Sequence, residues 1–586
     1  MTPVSASGSS RVRRLLLLLG GLVLLAVILF AYQAWRAGSA LMDAQSQARS
    51  LTSALNAGDL RGAESAALDL RRSTARAHGE TDGVLWGIGS KVPWLGRNIG
   101  AVQTSADVLD AISAHSLPTL LSLAGEVDHG RLRPRHGRVD LAEIRRLTPS
   151  VQRAAAAVDG PAARMAQVDP DGLVYPLNGL VDELRTKVAD AHTAIDAAAD
   201  AFEVLPTMLG ADGPRSYLLL VQNNAEIRST GGMPGSWSVL HARNGKLTMG
   251  DQGDAAKFTI GRSPLKLSAE ESALFGSQLG LDPRDITMDP DFPTVARIAA
   301  RLAASHGHRV DGVFAVDPVA LSQVLQGTGP VRLANGAVLN AANAVPALLN
   351  GVYRTVDSPA AQNDFYASAA RQAFDALVAG RGDQVRAIRG LVIAASQHRV
   401  LAWSDIPRVA RVIGRNKLSG ALPTSTGSPE VGVYLNDGGG GKMEYYLRQS
   451  ATATATSCTD NGTQHLQFSA TFRSAATPAV AGYPIWVTGT GAITKPGVML
   501  MSLFVYGPWH GSITSLSVNG RPVTVTGNLH DGHQVGILPV QLRPGQSMTV
   551  TGTMVSGPRQ PGDVHVTSTP GMETEPDPAT FPSACG

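Results

Sequence analysis

The chain has 586 residues, too many for one hydrophobic core, so two to four domains are expected. A formal net charge of +3 is too mild to argue for nucleic acid, and no dense Lys/Arg block lies beyond the first few residues. The two cysteines, Cys458 and Cys585, both fall in the last part of the chain and read as one disulfide if the protein is exported.

At the amino terminus, Arg11, Arg13 and Arg14 precede an uncharged apolar run from Leu15 to Tyr32. That run is about as long as a bilayer core requires. Tyr32 and Trp35 stand at its far end, where aromatic rings favour the membrane interface. These features predict a cytoplasmic tail over 1–14, a single transmembrane helix over 15–35, and a carboxy-terminal bulk outside the cell membrane. A cleaved signal peptide is the competing reading, but its apolar core is usually shorter and no small-x-small cleavage site follows.

Residues 36–205 are rich in Ala, Leu, Arg, Gln and Glu, good helix formers, and read as a packed helical stalk. Its apolar stripes are broken and Ala-rich, which argues against a long coiled coil. Two stretches interrupt it. Val84 to Gly96 is an aromatic, Gly-broken loop that either caps the helices or touches a membrane surface. His129 to His136 is a basic, Pro-containing linker.

Residues 212–417 alternate between strand and helix signals, which indicates a central α/β domain. Tyr217–Val221 is a short apolar run of the kind a buried strand has. Polar residues follow abruptly: Gln222, Asn223, Asn224, Glu226 and Arg228, then Ser229-Thr230-Gly231-Gly232. Trp237–Ala242 and Leu247–Met249 flank Asn244-Gly245, the strongest two-residue hairpin signal because both positions accept positive φ. Asp251 and Asp254 end that hairpin. Ser268 and Glu271 form a capping box, Ile286–Met288 is a short strand candidate, and Asp291 with Pro293 starts a helix. A strand over Val310–Val316, a helix from Pro318, a hairpin around Asn335-Gly336 and a helix from Pro359 complete the domain. Asp364 and Arg371 are seven apart and share one helix face, with Gln372 beside them and Tyr353-Arg354 just upstream.

The stretch Gln222-Asn223-Asn224-Ala225-Glu226-Ile227-Arg228-Ser229-Thr230-Gly231-Gly232, with Pro234-Gly235-Ser236, resembles the signature of an uncharacterised bacterial membrane-protein family classed as a domain of unknown function. That family is similar in turn to the LytR-CpsA-Psr phosphotransferases, which move a glycopolymer from a polyprenyl-pyrophosphate lipid to the cell wall. Val310–Asp317, Leu325–Val331, Tyr353-Arg354, Asp364 and Arg371-Gln372 follow in the order that resemblance implies, over roughly residues 212–403. It implies that Arg228, Arg354 and Arg371 hold a pyrophosphate, with Asn223, Asn224 and Gln372 lining the site. It implies Asp251, Asp254 and Asp364 as ligands for Mg2+, and Asp254, Asp364 and Arg371 as the catalytic set. Arginine forks suit phosphate oxygens, and carboxylates suit a bridging divalent cation. The sequence also departs from the enzymes. Thr230-Gly231-Gly232 stands where they carry an Asp, Met249-Gly250-Asp251 where they carry Pro-Arg-Asp, and Ala367, Ser368 and Ala370 where a further arginine is usual.

After a Ser/Thr/Pro/Gly linker, residues 430–586 carry short strand signals at regular spacing and predict a β-sandwich, with Tyr445–Leu447 and Ile485–Val487 among the strands. Gly438–Lys442 is not a phosphate loop, because Met443 stands in place of the Ser or Thr. The fold class expected is thus multidomain α/β: transmembrane helix, helical stalk, central LytR-CpsA-Psr-like domain and β-sandwich. The expected function is an anchored envelope protein that binds, and in one reading transfers, a polyprenyl-pyrophosphate-linked glycan to a cell-wall polymer. Its alternatives are a non-catalytic binding or scaffold protein of the same fold and an adhesin.

Overall fold

The computed structural model describes residues 9–57, 59–93, 95–128, 133–259, 263, 265–424, 426–525, 527–572 and 579–585; the side chains of 9–25, 56, 57, 60 and 123–128 lie outside it. The chain forms two compact units, Met1–Leu132 with Asp140–Leu205, and Arg133–Val139 with Pro206–Gly586.

The first unit is helical, as its composition predicts. It comprises α1 (Ser9–Ala57), α2 (Leu60–Thr81), a short α3 (Val84–Gly89), α4 (Gly96–Ala111), α5 (Leu117–Asp128), α6 (Leu141–Ala166) and α7 (Leu177–Met208), whose last turn enters the second unit. Small residues let the helices approach closely: Ala40, Ala77 and Ala106 form one buried contact, and Leu51, Ala63 and Ala67 another. In the aromatic stretch Trp86 is buried against Phe30, Ala37 and Ile99, Val84 and Ile88 are exposed, and Trp94 lies outside the described residues.

The expected transmembrane helix is corrected here. Among the described residues no helix is long and apolar enough to cross a membrane. The side chains of the apolar run through Leu25, and the tail before it, lie outside the described residues. What is described of α1 turns polar at Gln33 and Arg36, where Arg36 pairs with Glu80, and then buries Ala37, Ala40 and Ala44. The same helix leaves Val27, Ile28, Leu29, Tyr32 and Trp35 exposed, so its large apolar residues are not gathered on the buried side.

The second unit opens with β1 (Arg215–Asn223), β2 (Met233–Arg243) and β3 (Lys246–Asp254), an antiparallel meander. Asn244 and Gly245 turn the hairpin with φ of 48° and 79°, the positive values that select this dipeptide. After α8 (Ala269–Phe275), capped reciprocally by Ser268 and Glu271, come α9 (Phe292–Ser305), β4 (Gly312–Val316), α10 (Pro318–Thr328), and the two-residue strands β5 (Val331–Arg332) and β6 (Val338–Leu339). Then follow α11 (Ala344–Pro346), α12 (Val352–Thr355), α13 (Pro359–Val378), α14 (Gln384–Ser396), β7 (Val400–Ser404) and α15 (Pro407–Gly414). The sheet order is β3-β2-β1-β4-β7, with β4 parallel to β1 and its other pairs antiparallel. Leu218 and Leu220 pack in one cluster with Val295 and Ile298 of α9; Val221, on the alternate face, joins a second with Leu325 of α10 and Tyr366 of α13.

The remainder is a sandwich of β8 (Glu430–Asp437), β9 (Leu447–Cys458), β10 (Gln464–Ser474), β11 (Met499–Tyr506), β12 (Ser512–Val518), β13 (Arg521–Val523), β14 (Asn528–His530), β15 (His533–Leu542), β16 (Ser547–Val555), β17 (Val564–Ser568) and β18 (Ala579–Phe581), with one helical turn, α16 (Ile485–Thr488). Its sheets run β13-β12-β16-β10-β9 and β14-β15-β11-β8-β17-β18. A disulfide joins Cys458, at the end of β9, to Cys585, with 5.0 Å between their Cα atoms. Three short elements differ from expectation. Ile286–Met288 is a 3-10 turn, because Asp282 accepts from the Arg284 amide and curls the chain. Residues 485–487 form a helical turn after Pro484, and Met443–Tyr446 is a 3-10 turn that leads into β9. The α/β layer and the sandwich share their cores: Leu218, Trp237 and Phe292 cluster with Tyr434, Phe504 and Tyr506.

Candidate functional site

β1 and β4 run parallel, so their carboxyl ends lie side by side, the place where open α/β sheets take ligands. The polar signature leaves β1 here. A bulge between Val221 and Gln222 breaks the register with β2 and re-aims the side chains that follow. Gln222, Asn223 and Asn224 are all nearly inaccessible, so each must find partners. Asn223 accepts from the Ala225 amide to close a tight turn, and its Nδ2 donates to the Tyr353 hydroxyl at 2.7 Å. Gly231 holds φ at 131°, and a Cβ on Gly232 would meet the Asn223 carbonyl at 2.3 Å, so the return of this loop requires glycine at both positions.

The partners come largely from the sandwich. Lys442 Nζ donates to Glu226 Oε2 at 2.6 Å and lies 4.9 Å above the Tyr353 ring. Asn436 accepts from the Ser229 amide and donates to Ser229 Oγ, while the Asp437 amide donates to the Ile227 carbonyl. Asn224 Nδ2 donates to Asp317 Oδ2 and to the Pro570 carbonyl. Asp317 also caps α10 and pairs with Arg399 at 2.8 Å, and Arg399 Nη2 donates to the Gly571 carbonyl. Segments 436–442 and 569–571 of the sandwich thus cover the carboxyl ends of both strands. Beside them lies a cavity of about 70 Å³ lined in part by Arg399, Gln449, Ser450, Ser568 and Gly571.

Arg228 sits inside this cover, 6% exposed. Its guanidinium lies 3.5 Å from Asp285 and 3.9 Å from both Glu226 and Asp437, and Nη1 donates to the Ile227 carbonyl; its Nε has no hydrogen-bond partner. The carboxylates respond to burial in different ways. Burial opposes ionisation of Glu226, but Lys442 and then Arg228 outweigh it and hold the carboxyl below its ordinary value. Burial, reinforced by Glu226 and opposed by Arg228, pushes Asp437 up to about 6. Burial and the neighbouring Asp437 push Glu444 well above the ordinary glutamate value. Burial also raises Asp285. A further anion placed beside Arg228 would therefore meet several carboxyl groups, while the neighbouring cations Lys442 and Arg284 are already paired with Glu226 and Asp282.

The other expected site residues lie elsewhere. Arg371, half-buried on α13, fastens that helix to β3: Nε donates to Gln252 Oε1 at 2.8 Å, and Nη1 and Nη2 donate to the carbonyls of Met249 and Gly250. Asp254 caps the turn after β3 and accepts from Asn363 Nδ2 at 2.7 Å. Asp364 is exposed and Gln372 half-buried on the same helix. Arg354 is exposed, with its guanidinium 4.2 Å from the centre of the Tyr483 ring. Asp251 is exposed, with His308 Nδ1 3.9 Å from its Oδ2.

Arg228 and Arg371 have separate sets of partners: the first lies in a buried network with Glu226, Asp285 and Asp437, and the second clips α13 to β3. Among the described residues, the group of three side chains spaced to hold a metal ion is Asp159, His192 and Asp196 on α6 and α7, and not Asp251, Asp254 and Asp364. Sequence reasoning missed Lys442, Asp437, Asp317 and Arg399. The one local signal was Lys442 at the end of a glycine run, which fits no phosphate loop.

No curated protein and no solved structure matches this chain. Residues 212–353, from the approach to β1 into α12, match the family model described as Protein of unknown function (DUF4012), so the buried signature loop lies within the stretch that is similar to that family.

Proposed function

We propose that the second unit is an extracytoplasmic binding or scaffold module of the cell envelope, in which the phosphotransferase-like signature serves as an internal latch. The observation that carries this reading is the cover over β1 and β4. The position where an α/β sheet would take a ligand is filled by residues 436–442 and 569–571, held by Glu226–Lys442, Asn436–Ser229 and Arg399–Gly571. Ligand sites for organic groups usually offer several hundred Å³, and the cavity beside this cover is far smaller. The disulfide supports an oxidising, extracytoplasmic location. The resemblance to LytR-CpsA-Psr proteins supports an envelope polymer as the partner, bound without transfer.

A transfer assay tests this. Full-length protein is incubated with a fluorescent polyprenyl-pyrophosphate saccharide, Mg2+ and peptidoglycan. The expected result is no transfer and no cleavage of the pyrophosphate. Metal-dependent transfer that is lost in Asp254→Asn would overturn the proposal and restore the catalytic reading.

A further inference from the structure

Helix α14 packs through its small residues. Ala387, Gly390 and Ala394 are buried, and a Cβ on Gly390 would meet the Gln323 carbonyl of α10 at 2.4 Å. This close packing turns the larger side chains outward. Val385, Ile388 and Val392, at i, i+3 and i+7, are 57%, 53% and 62% exposed and form one stripe opposite the packing face. Ile393, 40% exposed, lies on the neighbouring flank. A core helix buries its apolar stripe; this one presents it to the surroundings.

The charge around the stripe selects the partner. Within α14 the charged residues are Arg386 and Arg389, both exposed and both on one flank of the stripe. Exposed Arg381 precedes the helix, and Lys417 lies near its carboxyl end, close enough to depress His398 together with burial. Asp383, the amino-terminal cap, lies 3.8 Å from Arg386.

We propose that this face of α14 docks on an anionic lipid surface. The aliphatic stripe enters the acyl boundary while the arginines meet headgroup phosphates, the arrangement that holds interfacial helices. A second copy of the chain is disfavoured, because it would oppose arginine to arginine. One face of a 13-residue helix is also too small for a stable protein interface.

The test uses full-length protein carrying Val392→Cys and an environment-sensitive thiol dye. Both native cysteines are in the disulfide, so residue 392 is the reactive thiol. Vesicles of phosphatidylglycerol with phosphatidylcholine are compared with phosphatidylcholine alone, and Arg521→Cys on β13 reports capture elsewhere on the chain. The expected result is a blue shift at 392 on anionic vesicles, quenched by brominated acyl chains and absent at 521. Adding Arg386→Gln and Arg389→Gln should raise the lipid concentration at half-shift roughly thirtyfold. No shift at 392, an equal shift on neutral vesicles, or insensitivity to the arginine substitutions would overturn the proposal. So would a concentration-dependent shift without lipid, which would mark self-association instead.

Discussion

Lys442→Met tests the latch most directly. Lys442 and Glu226 have side-chain exposures of 15% and 13%, and their contact is 2.6 Å. Removing the ammonium leaves the Glu226 carboxylate in a low-dielectric site with Arg228 at 3.9 Å as its nearest remaining cation. Breaking a buried pair from one side costs about 3–5 kcal/mol, and the lost contact with the Tyr353 ring adds about 0.5–1. Removing the charge from Glu226 as well should recover most of that loss, since a buried pair replaced on both sides is often nearly neutral. Urea unfolding at pH 7, read by near-ultraviolet circular dichroism, measures Lys442→Met, Glu226→Gln and the double variant. A coupling of about 2–3 kcal/mol is expected. The Glu226 carboxyl is held below its ordinary value, so its contribution is present above the unfolded-state pKa of about 4.3 and is lost as pH falls through the folded value. The reasoning fails if Lys442→Met costs less than about 1 kcal/mol at pH 7, or if the double variant is no more stable than the single one.

Asp437 gives the opposite pH signature. Its carboxyl titrates near 6 in the fold, so the folded state holds an extra proton between the ordinary aspartate value and 6, and stability falls as pH rises through that window. Asp437→Asn should remove this slope, measured by denaturant titration across pH. Cys458→Ser with Cys585→Ser should cost up to about 5 kcal/mol on the chain-entropy account of a loop of this length, seen as a lower urea midpoint. Arg371→Met should free β3 from α13, at about 1–3 kcal/mol, and speed hydrogen exchange at residues 246–254 while leaving residues 222–232 protected; equal effects on both segments would mean that the two sets are one site.

Local chemistry in the sequence determined much of the second unit. Asn244-Gly245 fixed the first hairpin because both residues accept positive φ, and Ser268 with Glu271 fixed a helix start through reciprocal hydrogen bonds. Asp291, Asp317 and Ser358 each cap a helix through a side chain set by its own neighbours. The spacing of Asp364 and Arg371 put both on α13, and two cysteines admitted one intramolecular pairing. The helical character of the first unit was equally legible, because propensity accumulates over long segments.

Only the tertiary structure decided what the charged residues do. Glu226 pairs with a lysine 216 positions away, and Asn224 donates to a carbonyl 346 positions away. A charged or amide side chain satisfies whichever group the fold brings to it, and sequence spacing carries no record of that group. The arginine at 228 has the same local surroundings whether it faces a cleft or a wall of carboxylates; the sandwich supplies Asp437 and Lys442 and makes it the latter. The apolar stripe of α14 was invisible for a related reason. Periodicity shows that a helix has an apolar side, but here glycine and alanine do the packing, so the larger residues are left facing outward.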